Sequence, residues 1–172
     1  MSITWDFFDE ACHGSPRVCG ARVVLYLKRN HMFSIKSKGG EGSNNLAEVK
    51  SLWILLRYAL LKSIFNIQIF GDSKLIVDLC NNKNKISNIA LSSFLDRIVE
   101  ARNSFGFISF THVCCEFNKK VDTLSKEALT LEEGKLVTQE NIDNLAFPEV
   151  QYVYSIIVLL WRHVSLGGFR MY

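Results

Sequence analysis

No C-x-x-C pair occurs in this chain, and its five cysteines (Cys12, Cys19, Cys80, Cys114 and Cys115) make an odd count with two of them adjacent. That argues against a disulfide framework or a zinc site. The cysteines read instead as reduced thiols of an intracellular protein, mostly small apolar filler. Also missing is a basic segment followed by an apolar one near the amino terminus, where Asp6 and Asp9 stand, so no secretory signal is expected. The apolar run from Val150 to Leu160 stops at Trp161-Arg162, short of the roughly 20 residues that a spanning helix needs. No internal repeat is visible, which sets aside solenoid architectures.

What is present suits one domain with an extension. A chain of 172 residues buries a sizeable core without a metal or disulfide staple. The net charge of +3 is unevenly spread: 17 Lys and Arg face 12 Asp and Glu through residue 130, whereas residues 131–172 carry 3 against 5. If several acids of the first part are taken up by cations, the remaining surface is strongly basic, which favours a polyanionic partner. Dispersed basic residues that simply keep a domain soluble would give the same count.

Hydropathy patterning gives the order β β β α β α α β α. Ile3–Phe8 suits a strand closed by Asp9, Ala21–Leu27 a second, and Met32–Lys36 a third, joined as an antiparallel meander. Gly39-Gly40-Glu41-Gly42 breaks the pattern, and Ser43 or Asn44 caps a long helix with Leu46, Val49, Leu52, Trp53, Leu56, Ala59 and Leu60 on one face. Ile67–Phe70 is a short buried strand, followed at Gly71-Asp72 by a switch to helical spacing from Ser73 to about Cys80. A further helix is expected from Asn88 to Arg102, a strand over Phe105–Thr111, and a last helix from about Lys119. Thr138–Asn144 reads as a linker, and the apolar run beyond it as a surface that packs on the domain or on a protein neighbour. Three hairpin-connected strands followed by strands separated by helices imply a five-stranded mixed α/β sheet covered by helices.

Four acids recur at element ends in this outline. Asp9 ends the first strand, Glu48 falls in the first turn of the long helix, Asp72 ends the fourth strand, and Asp122 begins the last helix. Each has a plain structural account: Asp72 as an N-cap, Glu48 as a favourable charge on a helix dipole. In an open α/β sheet, however, the carboxyl ends of strands border the ligand crevice. Clustered carboxylates repel unless cations bind, and oxygen-only ligands suit Mg²⁺ or Mn²⁺ rather than zinc. Two such ions roughly 4 Å apart would serve phosphodiester hydrolysis.

The set Phe8-Asp9, Ser43-Asn44-Asn45-Leu46-Ala47-Glu48, Phe70-Gly71-Asp72-Ser73-Lys74-Leu75, His112-Val113 with Glu116 and Asn118, and Val121-Asp122-Thr123-Leu124-Ser125-Lys126 resembles the ribonuclease H family. It looks closest to the plant form associated with retroelement reverse transcriptases, over residues 3–130. The resemblance implies a ribonuclease H-like five-stranded mixed sheet with helices on both faces, and cleavage of the RNA strand of RNA/DNA hybrids with two Mg²⁺ or Mn²⁺ ions. It implies Asp9, Glu48, Asp72 and Asp122 as metal-binding catalytic acids, and Ser43, Asn44, Asn45 and Ser73 as contacts to the hybrid. His112 is open to two readings, a proton shuttle or an ordinary strand histidine, and the second is preferred.

The chain departs from the family pattern at two places. Glu10 stands where the family usually has Gly, and Cys115 where it usually has Arg; both changes weaken the attraction for phosphate. A monomeric hybrid nuclease is therefore expected, with a catalytically weakened or inactive nucleic-acid-binding domain derived from a retroelement as the alternative.

Overall fold

The computed structural model describes residues 3–15, 17–81, 88–114, 128–132 and 134–152. Strand β1 (Thr4–His13) pairs antiparallel with β2 (Val18–Lys28), and β2 with β3 (His31–Glu41). Helix α1 (Asn44–Leu61) leads to β4 (Asn66–Gly71), which lies parallel to β1. Helices α2 (Lys74–Cys80) and α3 (Ile89–Arg102) precede β5 (Phe107–His112), parallel to β4. Two more strands, β6 (Lys135–Ile142) and β7 (Leu145–Tyr152), complete a single sheet in the order β5-β4-β1-β2-β3-β6-β7.

The mixed α/β sheet agrees with the sequence expectation, but among the described residues it has seven strands rather than five. The added pair comes from the segment expected to be a linker. Thr138–Ile142 belongs to β6, and Asp143 and Asn144 form the two-residue connection to β7, both in the left-handed region at φ 49° and 69°. That conformation matches the right-handed twist of the flanking strands, and Asp and Asn tolerate it better than most residues. The expected last helix, with Asp122, and the apolar run beyond Tyr152 lie outside the described residues.

The core lies between the sheet and α1. Val49, Leu52, Leu55 and Leu56 of α1 are fully buried, together with Phe8, Val23, Leu25, Ile35, Ile67 and Ile69 from four strands. Burying one such side chain contributes about 1.5–3 kcal/mol relative to exposure, so this layer dominates the folding energy. Ser43 caps α1, its Oγ accepting from the Leu46 N–H at 3.3 Å. The helix ends on Ser63 at φ 58°, where the Ile64 N–H donates to the Ala59 carbonyl at 2.9 Å and the Ser63 N–H to that of Leu60 at 3.0 Å. These two bonds satisfy carbonyls that the helix leaves open.

One expectation about the cysteines is overturned. Cys12 and Cys19 face each other across the β1–β2 ladder and are joined by a disulfide, so they are not reduced thiols. The pairing follows from β1 running on to His13 instead of stopping at Phe8, which carries Cys12 into register with Cys19. Cys80 is a buried free thiol and Cys114 an exposed one; Cys115 lies outside the described residues.

Candidate active site

Asp9 lies inside β1, not at its end, and is buried at 7% exposure opposite the equally buried Arg22 of β2. The parallel register of β1 and β4 pairs Phe7 with Phe70; carried two residues further, it brings Asp9 level with Asp72. The β4 strand stops at Gly71 because helix α2 begins immediately after it, with Ser73 at its N-cap position. Asp72 is therefore not the cap, and the plainest structural account of this carboxylate fails.

The corresponding account of Glu48 fails as well. Glu48 is the fifth residue of α1, and no acid occupies the first turn, so the helix end does not explain it. It is buried at 8% exposure. Burial is the main cause that pushes its carboxyl up to about 7; a hydrogen bond from the Ser73 hydroxyl opposes the rise, and the negative charges of Glu10, Asp72 and Asp9 add to it. One of its oxygens, Oε2, is buried and has no hydrogen-bond partner among the described residues. Such an oxygen is costly to bury, and a cation would satisfy it.

Hydrogen bonds from Ser51, Val113 and His112 hold this corner together. The Ser51 hydroxyl donates to the Ala47 carbonyl at 2.8 Å and also reaches the Asp9 carbonyl at 3.4 Å, tying α1 to β1. The Val113 N–H donates to the Gly71 carbonyl at 2.9 Å, and the His112 ring Nε2 bonds the Asp72 carbonyl at 3.1 Å. His112 is thus a strand residue, the last of β5, but its ring meets the backbone of Asp72 and is not remote from the acids.

Glu10 enters the same cluster. Burial raises its carboxyl and the charge of Asp72 raises it further, while Arg17 opposes the shift. Ser43 and Asn44 are exposed at the start of α1 and Asn45 is half-buried, whereas Ser73 is engaged with Glu48. The structure thus brings Asp9, Asp72 and Glu10 within electrostatic reach of Glu48. Among the described residues, no three His, Cys, Asp or Glu side chains already stand in a metal-holding arrangement. Asp122 lies outside the described residues. The sequence did not assign Ser51, nor Ser73 as the partner of Glu48; the only signal for them was their position one helical turn from an acid or beside one.

Comparison with known proteins bears on the family and the fold. A family profile described as reverse transcriptase-like matches residues 7–128. Ribonuclease H1 from the archaeon Halobacterium salinarum has a similar structure, with a TM-score of 0.67 at 25% identity over 74% of this chain and 98% of its own. The N-terminal ribonuclease H domain of a Mycobacterium tuberculosis protein gives 0.66 at 22% identity, over 74% and 94% of the two chains. A compost-derived ribonuclease H1, solved in complex with an RNA/DNA hybrid, gives 0.64 at 22% identity over 73% and 96%. No curated protein sequence matches. The strand order, the acids gathered at the β1–β4 end and the profile over most of the chain have one reading: the chain belongs to the reverse transcriptase-like family, with the fold of ribonuclease H.

Proposed function

We propose that this protein hydrolyses the RNA strand of RNA/DNA hybrids, with Mg²⁺ or Mn²⁺ held by Asp9, Glu48 and Asp72 and completed by Asp122. The observation that carries the reading is the buried, unsatisfied Oε2 of Glu48 among three other carboxylates. The donor set consists of carboxylate oxygens, which fits hard divalent ions, and the added positive charge would bring the raised Glu48 back to its ionised form. When bound, two such ions supply charge to the attacking and departing oxygens of a phosphodiester.

The chain's own groups divide the remaining work. Ser73 orients Glu48 through its hydroxyl, Ser51 fixes the distance between α1 and β1, and the His112 ring steadies the backbone of Asp72. Ser43, Asn44 and Asn45 offer side-chain donors and free backbone N–H groups to the hybrid at the start of α1. Contacts to 2′-hydroxyls would select the RNA strand. Origin from a retroelement reverse transcriptase belongs to the same reading, supported by the family to which the chain belongs.

A second reading rests on Glu10, whose charge bears on both Glu48 and Asp72 and adds repulsion beside a phosphate path. In that case the domain grips hybrids without cutting them. A labelled hybrid incubated with the protein, with and without Mg²⁺ and beside Asp72→Asn and Glu48→Gln, separates the two. Cutting that needs Mg²⁺ and disappears in both variants supports the nuclease. Salt-sensitive binding without cutting supports the binding module, and neither binding nor cutting overturns both.

A further inference from the structure

We propose that the Cys12–Cys19 disulfide is a redox-modifiable clasp, opened by dithiols, that closes the β1–β2 hairpin tip where it meets the segment leading into α1. Three contacts place it there. Cys12 lies three residues beyond Asp9 on β1, and its sulfur is 3.1 Å from Oε2 of Glu10. The Cys19 sulfur lies 3.5 Å from the Gly42 carbonyl oxygen. The Gly42 N–H in turn donates to the Arg17 carbonyl at 3.3 Å. Gly42 immediately precedes Ser43, the cap of α1. The disulfide therefore joins β1, the strand that carries Asp9 and Glu10, to β2, and the loop it closes presents the Cys19 sulfur and the Arg17 carbonyl to Gly42 at the entry to the helix that carries Glu48.

Access to the two sulfurs differs. Cys19 is 1% exposed, whereas Cys12 is half-buried near the end of its strand, so an incoming thiolate reaches the Cys12 sulfur first. Attack there forms a mixed disulfide and breaks the Cys12–Cys19 bond, and Cys19 leaves as a thiolate that takes up a proton. The second thiol of the reductant then attacks its own sulfur in the mixed disulfide, which releases Cys12 and leaves the reductant as a cyclic disulfide. Two electrons pass to the protein and two thiols are formed. Once the bond is open, the loop that carries Arg17 is no longer closed covalently, and the Gly42–Arg17 hydrogen bond at the hairpin tip opens locally more often than the core. The clasp does not rest on the nuclease reading.

Hydrogen exchange of the full chain, with and without dithiothreitol, tests the proposal, together with mass measurement after thiol alkylation. Without reductant, Cys12 and Cys19 should resist alkylation. With it, both should be labelled and exchange at the Gly42 amide should rise by about tenfold, while the Leu25 and Ile67 amides keep their rates. Cys12→Ser with Cys19→Ser should show the faster exchange irrespective of reductant, and Cys114→Ser should keep the wild-type response. Free alkylation of both cysteines in the unreduced protein, or equal Gly42 exchange in the two redox states, overturns the proposal. If the double serine variant does not fold, the wild-type pair of measurements decides alone.

Discussion

The ring of Phe8 occupies the space that a side chain at position 71 would need: a Cβ built on Gly71 would stand 2.4 Å from Cζ of Phe8. Phe8 is 1% exposed and packed in the core, so its ring has little room to move aside. The absence of a side chain at Gly71 thus lets β4 lie beside β1 closely enough to bring Asp72 level with Asp9. Gly71→Ala is expected to destabilise the fold by about 1–3 kcal/mol, the usual cost of overpacking. Pairing it with Phe8→Leu should recover part of that loss. Urea unfolding of the two single variants and the double variant measures the coupling, and simple additivity would show that the ring is not what excludes the methyl group.

Asp6 is a buried acid outside the candidate site. It is fully buried in β1; its Oδ1 accepts from the Tyr26 N–H at 3.2 Å, while Oδ2 is buried without a partner. Desolvation pushes its carboxyl well above the ordinary range, and the Tyr26 hydrogen bond opposes this. The folded protein therefore holds this proton where the unfolded chain releases it. Stability is full below the ordinary carboxylate value and falls as pH rises towards the folded one. Asp6→Asn keeps an acceptor for Tyr26 and removes the titration. Unfolding free energies from pH 4 upward should decline more steeply for wild type than for Asp6→Asn, and parallel curves would remove Asp6 from the account.

How far the sequence revealed this molecule varies from element to element. Helix α1 was legible because Val49, Leu52 and Leu56 repeat at helical spacing and bury one face. The Gly71-Asp72 switch was legible because β-branched strand residues change there to the spacing of Ile76 and Leu79. The β6–β7 pair was hidden, since Thr138, Gln139, Glu140 and Asn141 are polar even where Thr138 is buried, and a polar run reads as a linker. The signal lay in Asp143-Asn144, two residues suited to a left-handed hairpin turn. The disulfide is hidden for another reason: adjacency in a ladder depends on register, and the polar and small residues from Asp9 to His13 do not reveal that β1 runs on to pair Cys12 with Cys19. Asp9, Glu48 and Asp72 stand out singly in the sequence, yet Asp9 and Asp72 come level through the parallel pairing of β1 with β4, and Glu48 joins them through the packing of α1 on β1, long-range relations that spacing does not encode.

Ser63 ends α1 in a conformation that glycine adopts without strain. Its φ of 58° is disfavoured for a residue with a Cβ, and the side chain is exposed, so nothing in the core is lost by removing it. Ser63→Gly is expected to stabilise the protein by about 0.5–1 kcal/mol and to raise Tm by a few degrees. Thermal unfolding checks this. A lowered Tm would mean that the added freedom of glycine in the unfolded chain outweighs the relief of strain.

Leu136 tests whether the β6–β7 hairpin is part of the cooperative fold. It is fully buried and belongs to the same core as Leu52 and Ile35, although its strand lies beyond the residues that match the family profile. β6 joins the sheet through a ladder with β3 from His31↔Ile142 to Ser37↔Leu136, and His31 reaches Glu140 at 2.7 Å across it. Removing the Leu136 side chain leaves a cavity shared with the main domain, so Leu136→Ala should cost about 2–4 kcal/mol. The loss should appear in one transition, seen equally by the fluorescence of Trp53 in α1, with Trp5 and Trp161 replaced by Phe, and by far-ultraviolet circular dichroism. A Trp53 transition that stays at the wild-type midpoint would show that the hairpin unfolds on its own and leaves the helix-covered sheet intact.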